Sequence, residues 1–461
     1  MRGLAGFFPV WLGVLAAMTL LGQQGEFIGS VPQGTATSTP LPLTLRDALD
    51  RGLKANLGLL VSDSASDVAR GQRLVALSAL LPSITGGISE TDEQLSLSTI
   101  GFNFSFPGVS IPRVLGPFHF TDVRAFASWS VYDYSARKNH RAAQENERAA
   151  RLSAQDARDL VVQVVASAYL EIIADSSRID AIRSQVDTAQ ALYNRAVDQH
   201  TAGTSPAIDV LRSQVELKQQ QERLIAAQNQ FAKDKIALGR AIGLPNGQDF
   251  HIAESVPFSP LTSLTQEQAL QLALQHRPDY QSYQAGVRAA EDAVNAARGQ
   301  RYPTGSITAD YGDVGPSLAS SHGTFTFVAS ARFNIFDSGR ISAEVLQAKA
   351  ELKQRQDELA DLGGQIDQQV RNAFLDIRTA ADQVAVSRSN LDLANQTLVQ
   401  ARDRFAAGVT DNIEVVQAQE SVASANDVLI AALYGHNLAK VALARAMGGA
   451  DAGIQRLMEV K

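Results

Sequence analysis

Between residues 370 and 405 the large apolar positions recur every seventh residue: Val370, Ile377, Val384, Leu391, Leu398 and Phe405. Small residues stand three places on, at Ala373, Ala380, Ser387, Ala394 and Ala401. An earlier stretch follows the same scheme, with Val165, Ile172, Ile179, Val186 and Tyr193 followed by Ala168, Ile182, Ala189 and Ala196. A 3.5-residue spacing holds one seam toward a partner helix and imposes left-handed supercoiling. Neither 135–199 nor 338–405 contains a proline, so each predicts one helix of roughly 95 Å at 1.5 Å per residue. Each ends at a glycine, Gly203 or Gly408, suited to the positive φ of a helix C-cap. A second helix then runs to about Ile242 or Met447, starting near Pro206 and Asp411. The rest of the long-helix surface is rich in Gln, Asn, Ala and Ser, which leaves room for a second, shallow seam. A plain antiparallel coiled-coil rod is the competing reading.

Elsewhere the period is two. Val123, Ala125, Ala127, Trp129 and Val131 alternate with Asp122, Arg124, Ser128 and Ser130. Phe325, Phe327, Ala329, Ala331, Phe333 and Ile335 alternate with Thr326, Ser330, Arg332 and Asn334. Phe102, Phe104 and Phe106, and Ile307, Ala309 and Tyr311, make two shorter runs of the same kind. The pattern predicts four strands in two hairpins, with turns around Pro107–Pro117 and Gly312–His322. One face of each strand is apolar and the other polar. A soluble sheet packed on a helix has this pattern, and so has a membrane barrel wall with lipid on one side and water on the other.

The chain contains itself twice. AGTSPAIDVL (202–211) returns as AGVTDNIEVV (407–416) at an offset of 205 residues, which also carries Ala168-Tyr169-Leu170 onto Ala373-Phe374-Leu375 and Arg240-Ala241-Ile242-Gly243 onto Arg445-Ala446-Met447-Gly448. LTLRDALDRGLKAN (43–56) returns as LTQEQALQLALQHR (264–277) at an offset of 221, as does Pro82 at Pro303, so the first copy holds 16 extra residues before its long helix. In each copy a short helix is followed by a second one, to about Leu80 or Arg298, that a proline then stops. The expected layout is a first repeat at 43–261, with its β-hairpin near 83–133 and helical hairpin near 135–243, and a second at 262–448, with hairpins near 303–337 and 338–448. A tail covers 449–461.

Composition narrows the class. The net charge of −7 shows no basic stripe and argues against nucleic acid as a partner. With no cysteine there is no thiolate metal site, cysteine nucleophile or lipid-anchored N-terminal Cys. The seven histidines are scattered without ligand spacing, so no metal and no cofactor is expected. Hydrolase, zincin and phosphate-loop motifs are missing, and the expectation is a protein without enzymatic activity. Arg2, an apolar run from about Leu4 to Leu21 and the following Gln pair predict a signal peptide over 1–22, with a single anchor helix as the alternative. The Gly/Thr/Gln/Pro-rich segment 23–42 reads as a flexible linker. No later stretch reads as apolar for long enough to span a bilayer as a helix.

Four strands cannot close a barrel, and an open edge in lipid leaves backbone groups unpaired. A barrel built from this chain is therefore shared between copies. Two copies give eight strands and a filled interior; three give twelve and a water-filled lumen.

With this duplicated order, the two AG turns and the strand-to-helix junctions SVYDYSAR (130–137) and NIFDSGR (334–340), the chain resembles the TolC family of bacterial outer-membrane efflux proteins from Leu43 to Met447. The resemblance implies a mainly α protein with a small β part. It would form a homotrimer whose β-barrel, four strands per subunit and twelve in total, sits in outer-membrane lipid and is continued by a long α-helical coiled-coil barrel through the periplasm. It implies a passive exit duct for efflux or type I secretion, working with a periplasmic adaptor (a membrane fusion protein) and an inner-membrane pump of RND, ABC or MFS type. A periplasmic coiled-coil scaffold without a pore is the alternative. The family's lumen narrows at the turns. By motif the entrance candidates are Asp209 and Glu414, which also suit helix N-termini as plain dipole-compensating carboxylates. The family has a second acid where this chain has Gln417, and an arginine where it has Thr410. Arg212, a turn past Asp209, is the partner available here. Ala202, Gly203, Thr204, Ala407, Gly408 and Val409 match the family's adaptor-docking turns, or are simple C-caps. Asp122, Arg124, Asp310 and Arg332 are candidates for the barrel lumen, and Trp129, Val131, Phe325, Phe327, Phe333 and Ile335 for the lipid face.

Overall fold

The computed structural model describes residues 27–101, 108, 112–253, 258–260, 264–410, 412–451 and 453–454. The expected signal peptide, the Phe102–Phe106 run, the helix start at Asp411 and most of the C-terminal tail lie outside them. Helices α1 (Leu45–Ala55) and α2 (Leu57–Ser78) are followed by strands β2 (Ser83–Ser96) and β3 (Val114–Tyr132), then by helices α3 (Tyr134–Thr201) and α4 (Ala207–Ala241). The same order recurs in α5 (Gln266–His276), α6 (Pro278–Gly299), β5 (Thr304–Gly315), β6 (His322–Arg332), α7 (Arg340–Ala406) and α8 (Asn412–Met447). Two three-residue strands, β1 (Leu41–Leu43) and β4 (Phe250–Ile252), pair in parallel. They are too short to show a period.

The described residues divide into two compact units, one drawn from 27–66, 150–282 and 359–454 and the other from 67–149 and 283–358. The first is helical. Its largest core gathers Leu45, Leu49, Val161, Val165, Tyr169 and Ile172 with Leu238 and Ile242. Gly52 lets α1 lie against α3, since a Cβ there would stand 2.8 Å from Val165 Cγ2. The Tyr169 hydroxyl is buried and donates to Leu43 O at 3.1 Å, so the ring keeps its polar end satisfied. The heptad seams are where the spacing puts them: Val370, Ile377, Val384, Leu398 and Phe405 are all buried, as are Val165, Ile172 and Ile179. Contrary to the sequence expectation, α3 is long and apolar enough to cross a bilayer by length and composition, with an 18-residue window of mean hydropathy 1.4. That apolarity serves packing: Val161, Val165, Ala166, Tyr169 and Ile172 have no exposed surface.

The described part of the segment expected as a flexible linker, residues 27–42, makes backbone bonds to helix ends and to a strand. Val31 N donates to Ala55 O at 2.9 Å, Gln33 N to Gly243 O at 3.0 Å and Leu41 N to Asp249 O at 3.0 Å. Its order comes from these helix-end and strand partners, which composition does not display.

The second unit holds an antiparallel sheet in the order β2–β3–β5–β6. Helix segments brace it through Lys138 Nζ to Asp292 (2.7 Å) and Arg288 Nε to Glu145 (2.8 Å), and through Trp129 Nε1, which donates to Leu80 O at 3.1 Å. Both strand-to-helix junctions are capped by aspartate. Asp133 accepts from Ala136 N at 2.8 Å. Asp337 accepts from Gly339 N at 3.1 Å and Ile341 N at 2.9 Å, and chiefly the Ile341 bond holds its carboxyl below the usual range. Two strand expectations are corrected. The partner of β3 in the first hairpin is β2, whose SITGGISETDEQLS carries too few apolar residues to advertise a period. Strand β6 ends at Arg332, so Phe333 and Ile335 lie past the sheet, 62% and 91% exposed, because the backbone turns there toward the Asp337 cap.

Candidate functional site

Two places in the chain carry the residues singled out by sequence, one in each unit. In the helical unit the turns between α3 and α4 and between α7 and α8 are built alike. Gly203 and Gly408 adopt φ +72° and +68°. The Gly203 N–H reaches His200 O at 2.9 Å and the Thr204 N–H reaches Gln199 O at 2.9 Å. Gly408 and Val409 repeat this with Phe405 O (3.1 Å) and Arg404 O (3.0 Å). This is the paired-bond Schellman closure, in which glycine supplies the left-handed residue. A Cβ on either glycine would meet nothing within 4 Å, so the backbone angle, not crowding, selects glycine.

Just past the turns the candidate acids separate. Asp209 is buried, accepts from Ser205 Oγ at 2.8 Å, and has Arg212 Nη1 at 3.6 Å, the pairing expected from the helical spacing. Glu414 instead faces Arg404 Nε, 3.7 Å away. Arg212 and Gln417 come together on a groove of about 370 Å³ between α4 and α8, lined also by Leu211, Val215, Val416 and Glu420. Asp209 and Glu414 are not among its lining residues. Apart from Arg212 and Gln417, sequence reasoning missed the groove residues, although Ile208, Leu211, Arg212 and Val215, like Ile413, Val416, Gln417 and Glu420, stand at i, i+3, i+4 and i+7 and so on one helix face. Under the groove lies a small core of Leu192, Leu398, Phe405, Val415, Ala418 and Val422.

In the other unit the register sorts the sheet into two chemically distinct faces. Opposed residues share a face. Ile84 pairs with Ala127, Ile88 with Val123, Trp129 with Ile307, and Tyr311 with both Ala125 and Phe325. Phe325, Phe327 and Ile88 are 78%, 63% and 79% exposed, so this apolar face is bare in the single chain. The opposite face carries Ser83, Thr85, Ser128, Thr308, Thr326 and Ser330, together with Asp122, Arg124, Asp310 and Arg332. Arg124 gathers three of these strands: Nε is 3.2 Å from both Asp122 oxygens, Nη1 bonds Asp310, and Nη2 donates to Thr324 Oγ1 at 2.9 Å. Arg332 is at the other end of that face, opposite Thr304. The expected lumen residues thus share one face, and Trp129, Phe325 and Phe327 share the other, while Val131 falls at the register shift between Ser130 and Tyr132. Among the described residues the outer strands β2 and β6 each pair on one side only.

Deeper in the helical unit is a buried network that sequence did not flag. Arg277 is held by Asp279 through two bonds (3.0 and 2.6 Å) and donates to Gln369 Oε1 at 2.6 Å. Burial works to raise the Asp279 carboxyl, but Arg277, Arg445 and the Tyr280 amide together leave it below the usual carboxylate range. Arg445 Nη2 lies 2.6 Å from Asp156, whose carboxyl burial nevertheless pushes up to about 6.

Among curated proteins the chain is similar to the probable efflux pump outer membrane protein SepC of Pseudomonas putida, 23% identical over 88% of this chain and 83% of that one. It is also similar to the cation efflux system protein CusC of Escherichia coli, 24% identical over 71% of each. Among solved structures the Campylobacter jejuni CmeC outer membrane channel superposes with a TM-score of 0.77 at 16% identity, covering 94% of this chain and 95% of that one. The family model described as outer membrane efflux protein matches residues 48–244 and again 269–449. On that double match, spanning most of both helix–strand–helix halves, the chain belongs to the outer membrane efflux protein family.

Proposed function

We propose that the chain is one protomer of a homotrimeric outer-membrane exit channel, a passive duct that receives solutes from a periplasmic adaptor and an inner-membrane pump. The observation that carries this reading is the sheet: one face apolar and bare, the other polar and charged, with β2 and β6 as edges that no described residue pairs. A bare apolar face of Phe325, Phe327, Ile84, Ile88 and Trp129 is unfavourable in water and favourable against lipid. Open edges in a bilayer must pair, and three copies placed β6 to β2 give a twelve-stranded closed wall wide enough to stay wet. The recurrence of element order supports an internal two-fold repeat, with each half supplying one strand hairpin and one helical hairpin. The turns at Gly203 and Gly408 are the adaptor's docking points in this reading, and Arg212, Gln417 and the acids beside them line the entrance. A non-conducting coiled-coil scaffold leaves the apolar sheet face without a purpose.

The test is electrical. Purified protein reconstituted in a planar bilayer should give single-channel conductance, and the protein should pellet with outer membranes until detergent is added. A folded trimer that inserts and stays silent would overturn the reading. Glu414→Lys should lower the preference for cations over anions; unchanged selectivity would remove Glu414 from the lumen.

A further inference from the structure

Between them, α3, α4, α7 and α8 enclose a cavity of about 340 Å³. Its lining falls within 181–188 on α3, 216–220 on α4, 395–402 on α7 and 419–426 on α8. No helix contributes over more than seven positions, so the cavity occupies one layer of the bundle, about 10 Å deep at the rise of a helix. Leu398 and Val422 supply its apolar lining and belong also to the small core under the groove. The rest of the lining is mostly polar.

What that polar wall offers is acceptors. Glu216 is 3% exposed, and Gln220, one turn on, is 2% exposed. Gln220 Nε2 donates to Glu216 Oε1 at 2.7 Å, which fixes the way the amide points. Its other end, Gln220 Oε1, is buried and accepts no hydrogen bond among the described residues. Gln419 on α8 is likewise buried, and its Oε1 likewise accepts none. Among the described residues Arg402 is the one cationic side chain of the lining; it is exposed and makes no ion pair with Glu216. A buried carboxylate and two buried carbonyl oxygens without donors are each costly.

Water satisfies amide oxygens but brings no positive charge to Glu216; a cation does both. No three His, Asp or Glu residues among the described ones converge as metal ligands. An ion here is therefore held by one carboxylate and neutral oxygens, the donor set of a hard cation and not of zinc or copper. At ~30 Å³ per water, the cavity takes such an ion with several of its waters. Calcium accepts an irregular shell of about six to eight oxygens, whereas magnesium demands near-ideal octahedral geometry. Glu216 also lines the groove between α4 and α8, which gives an ion a way in.

We propose that Glu216, Gln220 and Gln419 form a calcium site inside each chain, completed by other oxygens of the same wall and by water, and that the ion ties the first helical hairpin to the second. The site does not depend on the channel reading, because all its ligands belong to one chain. A single carboxylate keeps the affinity low, with Kd about 10⁻⁴–10⁻³ M.

The experiment uses full-length protein in detergent, treated with a chelator and then dialysed against radioactive calcium at constant ionic strength. Wild type should take up calcium with that Kd and magnesium at least about tenfold more weakly, and its thermal unfolding should move to higher temperature as calcium is added. Glu216→Gln keeps the size of the side chain and removes its charge; it should abolish both the uptake and the calcium-dependent shift. Gln419→Leu removes one carbonyl ligand and should weaken uptake on the order of tenfold, which decides the matter if Glu216→Gln does not fold. Arg402→Gln should still bind calcium. Absence of uptake by wild type, or equal uptake by wild type and both ligand variants, would overturn the site. It would also fall if Arg402→Gln lost stability that adding Glu216→Gln restored, because Arg402 would then be the counter-charge of Glu216.

Discussion

Ionisation of single residues is what the sequence hides most completely. Asp175 is 2% exposed, and Arg178 Nη1 reaches one of its oxygens at 2.8 Å. Burial first, and then the nearby Asp234 and Glu171, push its carboxyl up to about 7. Such a group binds its proton more tightly in the folded chain than in the unfolded one. Its presence costs nothing below the unfolded value of about 4, and its cost grows as pH rises from there to about 7. Buried His436 works in the opposite direction, since burial keeps it neutral and costs stability as pH falls through about 6.5. Asp175→Asn isolates the first effect. Thermal unfolding followed by circular dichroism should show the variant several degrees more stable than wild type at pH 8, with the two converging toward pH 5. An equal gap at both values would mean that Asp175 is not the group responsible. Nothing in the heptad around Ile172 and Ile179 marks Asp175 for burial; the contact with the α4 acid Asp234 exists only after the hairpin has folded.

At the scale of elements the sequence was far more legible, because helices announce themselves by period and punctuation. The long helices, their seams and the four short ones fall within a few residues of expectation, since proline and glycine stop them where the backbone must turn. Strands were legible only where aromatic and aliphatic residues alternate, as in β3 and β6. Strand β2 was hidden because it takes its register from β3, through thirteen backbone pairings, and not from its own side chains. The groove between α4 and α8 was hidden for a related reason: its spacing is visible on each helix, but not that the two faces meet. The turns permit a sharp test. Gly203 needs its positive φ and has open space around it, so Gly203→Ala should cost about 1 kcal/mol locally. Hydrogen exchange at the Gly203 and Thr204 amides and the last turn of α3 should speed up about fivefold, with little change in the core around Val165. Gly203→Asn should fall between the two, because asparagine tolerates the left-handed region better than alanine. Unchanged exchange in the alanine variant would show that the turn is not held in the Schellman form in solution.

For the whole molecule, the decisive question is what covers the apolar surface that one protomer leaves open. The seam residue Val384 is 1% exposed, whereas Leu375, Val386 and Leu393 on the same helix are 63%, 70% and 58% exposed. These three are spaced by eleven and seven residues, which brings each back to nearly the same side of a helix, away from the first seam. On the channel reading proposed above, this is the second seam that a tube of helices requires, since each helix of such a tube packs on two neighbours. Placing a carboxylate on the two seams should therefore have two different outcomes. Val384→Asp buries a charge inside the protomer and should abolish its fold. Val386→Asp should leave the far-ultraviolet circular dichroism helical and shift the mass measured by light scattering in detergent from trimer toward monomer. If Val386→Asp stays fully trimeric, that side of α7 faces solvent in the assembly, and the copies meet through the sheet edges alone. If it unfolds like Val384→Asp, the second seam belongs to the protomer's own core, and the spacing that distinguishes the two faces has no meaning for assembly.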